Sequence, residues 1–383
     1  MNVRPAIDST TYPAALSVSF NQDSSCFSVG MDTGFSIFNS DPCQLQVSRD
    51  LNAGIHHVQM LGKTNFIALI GNGKSSRFPK NKVMIWDDAK QKIVLQIQTP
   101  ADIRKVCISK SYICLISLNT VEVHKFQRFP ELWHSFETSD NPLGLCCLGN
   151  QLVAFPGRTP GQIQLVELTS GNVSIIPAHG SALRALEMSK DSRILASASQ
   201  TGTLIRIFAT HNCARITELR RGVDNAIIFS LAFSPSNKLL AATSDKATIH
   251  IFDIPKLSNS FSTGPSNPPE VNSTNITSDG KETNNSRKWG VLGRVPLLPR
   301  VFSDIYSFAS AHFEIGDDQL HMPSNVDSGL KVPKGILGWI DDEVLIVLSA
   351  GLDSRWEKFL IVQNGDGTRH CVRKGWKKYL NAG

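Results

Sequence analysis

One pattern occurs twice near the middle of the chain, as ALEMSKDSRILASASQTGTLIRIFAT in Ala185–Thr210 and as LAFSPSNKLLAATSDKATIHIFDI in Leu231–Ile254. Each copy contains an alternating strand, a polar turn, a small-residue strand, a second turn and another alternating strand. A third copy, LSVSFNQDSSCFSVGMDTGFSIFN, occupies Leu16–Asn39. Met188 and Phe233 hold equivalent positions 45 residues apart. Because a four-stranded propeller blade takes about 40–45 residues, the repeat predicts a β-propeller.

The alternation within a copy predicts which side chains share a face of the strand. In the run Thr248–Phe252 (TIHIF), Ile249 and Ile251 are expected on one face, and Thr248 and His250 on the other. The turns between such runs carry Asp, Asn, Ser, Pro and Gly, which favour turn backbones. No segment shows a sustained apolar period of 3.6 residues, so a helical fold is not expected.

The chain length predicts the number of blades. Dividing 383 residues by the repeat length, and allowing for one long insertion, gives seven blades. The segment Val83–Asp87 (VMIWD) is a further blade strand and ends in the Trp-Asp pair that is common in WD repeats. We therefore predict an all-β fold, a seven-bladed β-propeller forming a single domain over residues 1–383.

One segment interrupts the repeat. Pro255–Arg287 is rich in Ser, Asn, Pro and Thr and has few large apolar residues, so it cannot bury enough surface to order itself. Between positions 255 and 300, six Lys or Arg and three Asp or Glu give a local charge of +3. This predicts a long, partly disordered loop over residues 255–300, and apolar residues return within it at Trp289, Val291 and Leu292.

Composition excludes several classes of function. The net charge of +6 suits an anionic partner without choosing one. No Gly-x-Ser-x-Gly, His-Glu-x-x-His or phosphate-loop motif is present, so an enzyme is not expected. An aromatic share of 8% and modest basic clustering argue against nucleic-acid binding.

The cysteines and the apolar runs indicate the compartment. The eight cysteines include no C-x-x-C pair with a matching downstream pair, so neither zinc nor any other metal or cofactor is expected. Cys146 and Cys147 are expected to be buried thiols of a reducing compartment. The N-terminus does not resemble a signal peptide, and no apolar run approaches the ~20 residues that cross a bilayer. The chain is therefore expected to be cytoplasmic.

A pair of arginines lies between the two best-matched copies, in Leu219-Arg220-Arg221-Gly222. Adjacent side chains of an extended chain point to opposite sides, so the two arginines can serve two separate pockets. A guanidinium group presents a fork of donors that suits phosphate oxygens. Gly222 is expected to permit a close or unusual backbone path beside them.

Hydroxyl, imidazole and cationic side chains surround this pair in sequence, and these are the donors that a phosphate site needs. They are His179, Ser181, Ser199, Thr203 and Arg206 before it, and Ser244, Lys246, Thr248 and His250 after it. Each has a simpler interpretation, because exposed arginines are usually solvated, small serines are common in blades, and His179 could be a structural histidine. In combination they favour two anion pockets.

The segments around the arginines resemble the PROPPIN family of β-propellers, and most of all the fungal paralogues of the autophagy PROPPIN. The resemblance rests on these runs: Ala178-His179-x-Ser181, Gly202–Phe208, Leu219–Asp224, Ser230–Pro235, Ser244-Asp245-Lys246 and Thr248–Phe252. The family's usual Phe-Arg-Arg-Gly begins here with Leu219, which remains apolar. The resemblance implies a seven-bladed propeller that binds phosphatidylinositol 3-phosphate and phosphatidylinositol 3,5-bisphosphate.

The resemblance also assigns roles to residues. It implies one pocket formed by His179, Thr203, Arg206 and Arg220, and another formed by Arg221, Thr248 and His250, with Ser181, Ser199, Ser244 and Lys246 as lesser candidates. It implies that the insertion of the sixth blade contacts the membrane surface, with Trp289, Val291 and Leu292 as candidates. It further implies autophagy or trafficking proteins as partners, and a peripheral position on vacuolar, endosomal or pre-autophagosomal membranes. A scaffold propeller that binds an acidic peptide without recognising lipid remains the alternative.

Overall fold

The structure, a computed structural model, describes residues 14–255, 305–316 and 333–380. Within these ranges the regular elements are all strands, 29 of them, arranged in seven blades. The prediction of an all-β, seven-bladed propeller is therefore confirmed. The segment expected to form the long loop at 255–300 lies outside the described residues from position 256 onward, so its disorder and its place in a single domain stay predictions.

Strands β1–β16 build the first four blades, each from four consecutive strands. Blade 1 comprises β1 (Ala15–Phe20), β2 (Cys26–Met31), β3 (Gly34–Asn39) and β4 (Gln44–Asp50). Blade 2 comprises β5 (Ile55–Met60), β6 (Phe66–Gly71), β7 (Lys82–Asp87) and β8 (Lys92–Gln98). Blade 3 comprises β9 (Lys105–Ile108), β10 (Tyr112–Ile116), β11 (Thr120–Lys125) and β12 (Glu131–Glu137). Blade 4 comprises β13 (Cys147–Leu148), β14 (Leu152–Pro156), β15 (Gln162–Glu167) and β16 (Val173–Pro177).

The last three blades contain the two best-matched repeats and the site. Blade 5 comprises β17 (Leu183–Met188), β18 (Ile194–Ser199), β19 (Leu204–Ala209), β20 (Arg215–Arg220) and a fifth strand, β24 (Ile305–Tyr306). Blade 6 comprises β21 (Ile228–Phe233), β22 (Leu239–Ser244), β23 (Thr248–Asp253) and β25 (Ala309–His312). Blade 7 comprises β26 (Ile336–Trp339), β27 (Val344–Ser349), β28 (Arg355–Gln363) and β29 (Arg369–Lys378).

The core lies between the blades. Ile205 and Leu219 of blade 5 pack with Leu231 and Phe252 of blade 6, while Phe208 of blade 5 belongs to the cluster shared with blade 4. Each blade therefore buries both faces of its sheet, one against each neighbour. This arrangement explains why the inner strands are apolar on both sides, as the burial of every residue in β18 and β22 shows.

The ring closes between blade 7 and blade 1. The backbone N–H of Ala15 donates to the carbonyl of Gly351 at 3.1 Å, and the N–H of Gly351 donates back at 2.8 Å. The indole of Trp356 donates to the carbonyl of Ser40 at 2.8 Å. Buried backbone and indole groups need such partners, so these bonds fix the first blade against the last.

The chain re-enters the described structure by pairing with two different blades. β24 runs parallel to β20, with Leu219 opposite Ile305 and Arg220 opposite Tyr306, and β25 then completes blade 6. The two strands are separated by Ser307 and Phe308, where the chain crosses from blade 5 to blade 6. The crossing places Ile305 and Tyr306 against the strand that carries Arg220.

Candidate anion-binding site on the two faces of blade 5

The direction of each side chain on β20 follows from the strand's alternation. Leu219 is fully buried in the cluster that blade 5 shares with blade 6. Its neighbours Glu218 and Arg220 must therefore lie on the opposite face, which is the one toward blade 4. Arg220 is half-buried there, opposite Leu204 of β19 in the strand register.

The first pocket lies on the blade 4 side and centres on Arg206. Its Nη1 donates to the carbonyl of Ala178 at 2.6 Å, and its Nε donates to Oε2 of Glu218 at 2.7 Å. His179 follows Ala178, and its Nε2 lies 2.9 Å from the hydroxyl of Ser197, which is opposite Arg206 in the strand register. A cation, an imidazole and a hydroxyl thus meet between blades 4 and 5.

An open groove accompanies this pocket. Its volume is about 310 Å³, and its lining combines two arginines with apolar side chains: Ile176, Pro177, Ala178, Arg206, Phe208, Cys213 and Arg215. Burial, together with the Arg206 cation, lowers the pKa of His179 to about 4. His179 is therefore neutral near pH 7, and either ring nitrogen can donate or accept according to its tautomer.

The second pocket lies on the blade 6 side and centres on Arg221, which is 9% exposed. Its Nε donates to the carbonyl of Gly202 at 2.8 Å, and its Nη2 donates to the carbonyl of Asp224. Its backbone N–H donates to the carbonyl of Thr203 at 2.9 Å. Main-chain carbonyls therefore orient this guanidinium, and the nearby carboxylates of Asp245 and Asp224 act on its charge through space.

Blade 6 supplies the other wall of the second pocket. Ile249 and Ile251 pack toward blade 7, so Thr248 and His250 face blade 5, as the alternation predicts. Nδ1 of His250 lies 3.1 Å from the hydroxyl of Ser307, on the returning segment. Burial lowers the pKa of His250 to about 4, and the Arg221 cation contributes. The Arg221 cation therefore acts on the His250 ring from across the blades.

The remaining expected residues occupy less central positions. The hydroxyl of Ser199 lies 2.9 Å from that of Thr201, and the hydroxyl of the fully buried Ser244 lies 3.4 Å from that of Thr248. Ser181 is half-buried in the connection between β16 and β17, and Lys246 is exposed in the turn before β23. Thr203 precedes β19, and its carbonyl accepts a hydrogen bond from the backbone N–H of Arg221.

The expectation about Gly222 is wrong, and Gly202 has that role instead. A Cβ on Gly222 would meet no atom within 4 Å, whereas one on Gly202 would fall on the carbonyl oxygen of Ala226. Gly202 also has a φ of +63°, in the left-handed region. Only glycine adopts this conformation at low cost, so Gly202 is the residue that lets the turn pass close to Ala226.

Several residues beside the arginines escaped sequence reasoning. Arg215 and Glu218 lie on β20 itself, and Glu218 could have been found from its i, i+2 relation to Arg220. A group of exposed apolar residues also surrounds the pair: Val223 (72% exposed), Ile227 (37%), Ile305 (40%) and Tyr306 (46%). The last two are brought there by the crossing of the chain, which no local pattern indicates.

Other expected features can be placed only in part. Trp289, Val291 and Leu292 lie outside the described residues.

All eight cysteines are free, Cys146 is buried and Cys147 is half-buried. Across residues 14–255, 305–316 and 333–380, no cluster of three His, Cys, Asp or Glu side chains could hold a metal ion, and no helix is long and apolar enough to cross a membrane.

These observations define a class of protein: a seven-bladed propeller whose fifth blade presents one arginine-centred cluster of polar side chains toward each neighbouring blade. Residues 14–273 match the family model described as PROPPIN. The chain belongs to this family. PROPPINs are phosphoinositide-binding, autophagy-related propellers that associate peripherally with membranes, and they act in lipid binding and as scaffolds rather than as enzymes.

Curated relatives agree with the family model. The chain is 52% identical to SVP1-like protein 2 of Emericella nidulans, over 85% of this chain and 100% of that protein. It is 44% identical to SVP1-like protein 2 of Neurospora crassa, over 99% of both chains. It is 32% identical to the Saccharomyces cerevisiae protein of the same name, over 94% of this chain and 90% of that one.

Solved structures share the fold at lower identity. The structure of Kluyveromyces lactis Hsv2 matches with a TM-score of 0.73 and 20% identity, over 96% of this chain and 99% of that one. A complex of KlAtg21 with the coiled-coil of AgAtg16 contains a chain that matches with a TM-score of 0.63 and 20% identity, over 95% of this chain and 99% of that one. At this identity the likeness supports the fold alone.

Proposed function

We propose that this chain recognises phosphatidylinositol 3-phosphate and phosphatidylinositol 3,5-bisphosphate, with one head group in each pocket of blade 5. His179, Thr203, Arg206 and Arg220 serve the first pocket, and Arg221, Thr248 and His250 serve the second. Ser181, Ser199, Ser244 and Lys246 contribute more peripherally. The observation that carries the proposal is the opposite direction of Arg220 and Arg221, one toward blade 4 and the other toward blade 6.

Two such pockets can supply enough binding free energy to attach the protein to a membrane. Charge-assisted hydrogen bonds contribute about 1.5–3 kcal/mol each, so a few around one head group support binding on the order of micromolar affinity. Both pockets belong to one rigid blade, so occupation of the first raises the effective concentration of lipid at the second. Weak single sites can therefore give firm attachment to a membrane that contains many copies of the lipid.

The surroundings of the arginines suit a membrane surface. Val223 lies three residues beyond Arg220, within about 11 Å along the chain, and Ile305 and Tyr306 pair with the same strand. Apolar and tyrosine side chains beside cations favour the bilayer interface. We propose that Trp289, Val291 and Leu292 add further contacts, and that the basic insertion adds about 1 kcal/mol for each cation near anionic lipid.

Vacuolar, endosomal or pre-autophagosomal membranes are the compartments that we propose, together with a role in autophagy or trafficking. KlAtg21, a propeller of similar fold, was captured with the coiled-coil of AgAtg16. This finding supports autophagy or trafficking proteins as partners of our chain. Scaffolding and lipid recognition are then two activities of one propeller.

Flotation with phosphatidylcholine vesicles tests the proposal. Wild-type protein should float with vesicles that contain phosphatidylinositol 3-phosphate and remain at the bottom with vesicles that lack it. The double variant R220T/R221T should lose binding by about a hundredfold or more, because it removes charge-assisted bonds from both pockets.

The matched control is R77T/R128T, which removes the same charge from two exposed arginines on blades 2 and 3, away from the pockets. It should float like the wild type. Lipid-selective flotation by R220T/R221T would refute the assignment. Binding of an acidic peptide by a wild-type chain that ignores every phosphoinositide vesicle would favour the scaffold alternative.

A further inference from the structure

A carboxylate lies inside the first pocket, where an anion site would be expected to contain only donors. Oε2 of Glu218 accepts a hydrogen bond from Nε of Arg206 at 2.7 Å and another from Nη1 of Arg215 at 3.3 Å. Two guanidinium groups therefore share one carboxylate oxygen. This three-residue cluster is called the Glu218 bridge below.

The position of the Glu218 bridge follows from the sheet. Arg206 and Glu218 are opposite one another on β19 and β20, and Arg220 lies two residues further along the same face. The side chain of Glu218 is 11% exposed and that of Arg206 is 23% exposed. The Glu218 charge also acts on His179 across the pocket, where it raises the pKa that burial and Arg206 lower. Glu218 thus faces the interior of the pocket.

The chemistry of the bridge limits what can bind beside it. Both arginines line the 310 Å³ groove, yet the carboxylate cancels one of their two positive charges. An ionised carboxylate is only an acceptor, so it can accept a hydrogen bond from a hydroxyl group. A phosphate oxygen at the same place would meet a like charge held at low exposure.

We propose that Glu218 is a specificity-determining residue of the first pocket. It holds Arg206 toward the head group, and it excludes a phosphate from the space between Arg206 and Arg215. The inositol ring must therefore present a hydroxyl group there. This inference rests on the proposed function and deepens it, because it explains how one pocket prefers sparsely phosphorylated head groups over densely phosphorylated ones.

The decisive variant is Glu218→Gln, which removes the charge while its amide oxygen can still accept from Arg206. Full-length protein is titrated with phosphatidylcholine vesicles that carry either phosphatidylinositol 3-phosphate or phosphatidylinositol 3,4,5-trisphosphate. We expect affinity for the trisphosphate vesicles to rise about tenfold, and affinity for the monophosphate vesicles to change by less than about threefold. The ratio between the two lipids is the readout, because a merely structural ion pair would not alter it.

Two further variants complete the test. Glu122→Gln removes an equal charge from a partly buried carboxylate on blade 3, where it contacts His124, and it should leave the ratio as in the wild type. Glu218→Ala removes both the charge and the support of Arg206, and it should weaken binding to both vesicles relative to Glu218→Gln. An unchanged ratio in Glu218→Gln would overturn the inference.

The same titration separates this inference from the proposed function. If the wild type binds monophosphate vesicles selectively but Glu218→Gln keeps its ratio, only the role of Glu218 is wrong. If the wild type does not distinguish phosphoinositide vesicles from plain phosphatidylcholine, the proposed function is wrong and the role of Glu218 is lost with it.

Discussion

The two faces of blade 5 hold their arginines in different ways. On the blade 4 side, Arg206 is bonded to a carboxylate, Glu218, as well as to a main-chain carbonyl. On the blade 6 side, Arg221 is bonded to the carbonyls of Gly202 and Asp224. A carbonyl orients a guanidinium without neutralising it, whereas a carboxylate does both. The difference predicts that the second pocket depends on backbone shape and the first on charge.

The largest effect should come from the backbone of the second pocket. Gly202→Ala forces a Cβ onto the carbonyl oxygen of Ala226 at a left-handed φ. We expect the free energy of unfolding to fall by more than about 3 kcal/mol, because both strain and displacement of the turn are required. Urea unfolding measures this loss.

Gly222→Ala is the matched control for that substitution. A Cβ there meets nothing within 4 Å, so stability should remain within about 0.5 kcal/mol of the wild type. Equal stabilities for the two alanine variants would show that the turn at Gly202 does not shape the second pocket.

The two adjacent arginines should differ in their contribution to stability. Arg221→Thr removes the charged donor from two main-chain carbonyls in a site that is 9% exposed, so the free energy of unfolding should fall by about 2–3 kcal/mol. Arg220→Thr acts at a half-buried position and should cost less, about 1 kcal/mol. Thermal and urea unfolding of both single variants would check this order, and the reverse order would contradict the comparison.

A histidine in each pocket should make the folded protein less stable at acid pH. The pKa values of His179 and His250 are about 4, below the usual 6.5, because burial penalises the charged ring. The unfolded chain therefore binds more protons between about pH 6.5 and pH 4, and stability falls as pH decreases through this window. The free energy of unfolding should therefore fall less between pH 7 and pH 5 in His179→Asn and in His250→Asn than in the wild type. The difference should be about 1 kcal/mol for each variant, because partial exposure of the rings reduces the effect.

Urea unfolding at pH 7 and pH 5 gives this comparison directly. The half-buried His57, whose pKa is lowered to about 3, contributes a loss of the same sign that should remain in both variants. A histidine variant as acid-sensitive as the wild type would show that its ring is not shielded in the folded state.

The smallest effect concerns the exposed loop after the arginines. Val223→Asp should weaken binding to monophosphate vesicles by about threefold, because it places a negative charge at the anionic surface, while binding of the soluble head group stays unchanged. Val173→Asp, at an exposed residue of blade 4, is the control and should bind vesicles normally. Equal losses of vesicle binding in the two variants would show that Val223 does not contact the membrane.

The sequence predicted what depends on local pattern. The repeat of 45 residues specified the blades, because each blade is formed almost entirely from consecutive strands. Strand alternation likewise predicted that Arg220 and Arg221 diverge and that Thr248 and His250 share a face. These features need only the period of a β-strand.

Features that depend on contacts distant in sequence could not be predicted. Ser307 reaches His250 only because the chain crosses from blade 5 to blade 6 after the insertion. The bonding of Arg221 to Gly202 depends on a left-handed turn, and no sequence rule distinguished that glycine from Gly222. Strand alternation could have placed Glu218 on the same face as Arg220. Only the structure shows that the Glu218 carboxylate bridges Arg206 and Arg215.

Counting bound head groups tests the central claim most directly. Isothermal titration of the full chain with soluble inositol 1,3-bisphosphate, the head group of phosphatidylinositol 3-phosphate, should give two sites in the wild type. Arg220→Thr and Arg221→Thr should each retain one site, because each arginine serves its own face of blade 5. A single site in the wild type, or the loss of both sites in either folded variant, would contradict the account.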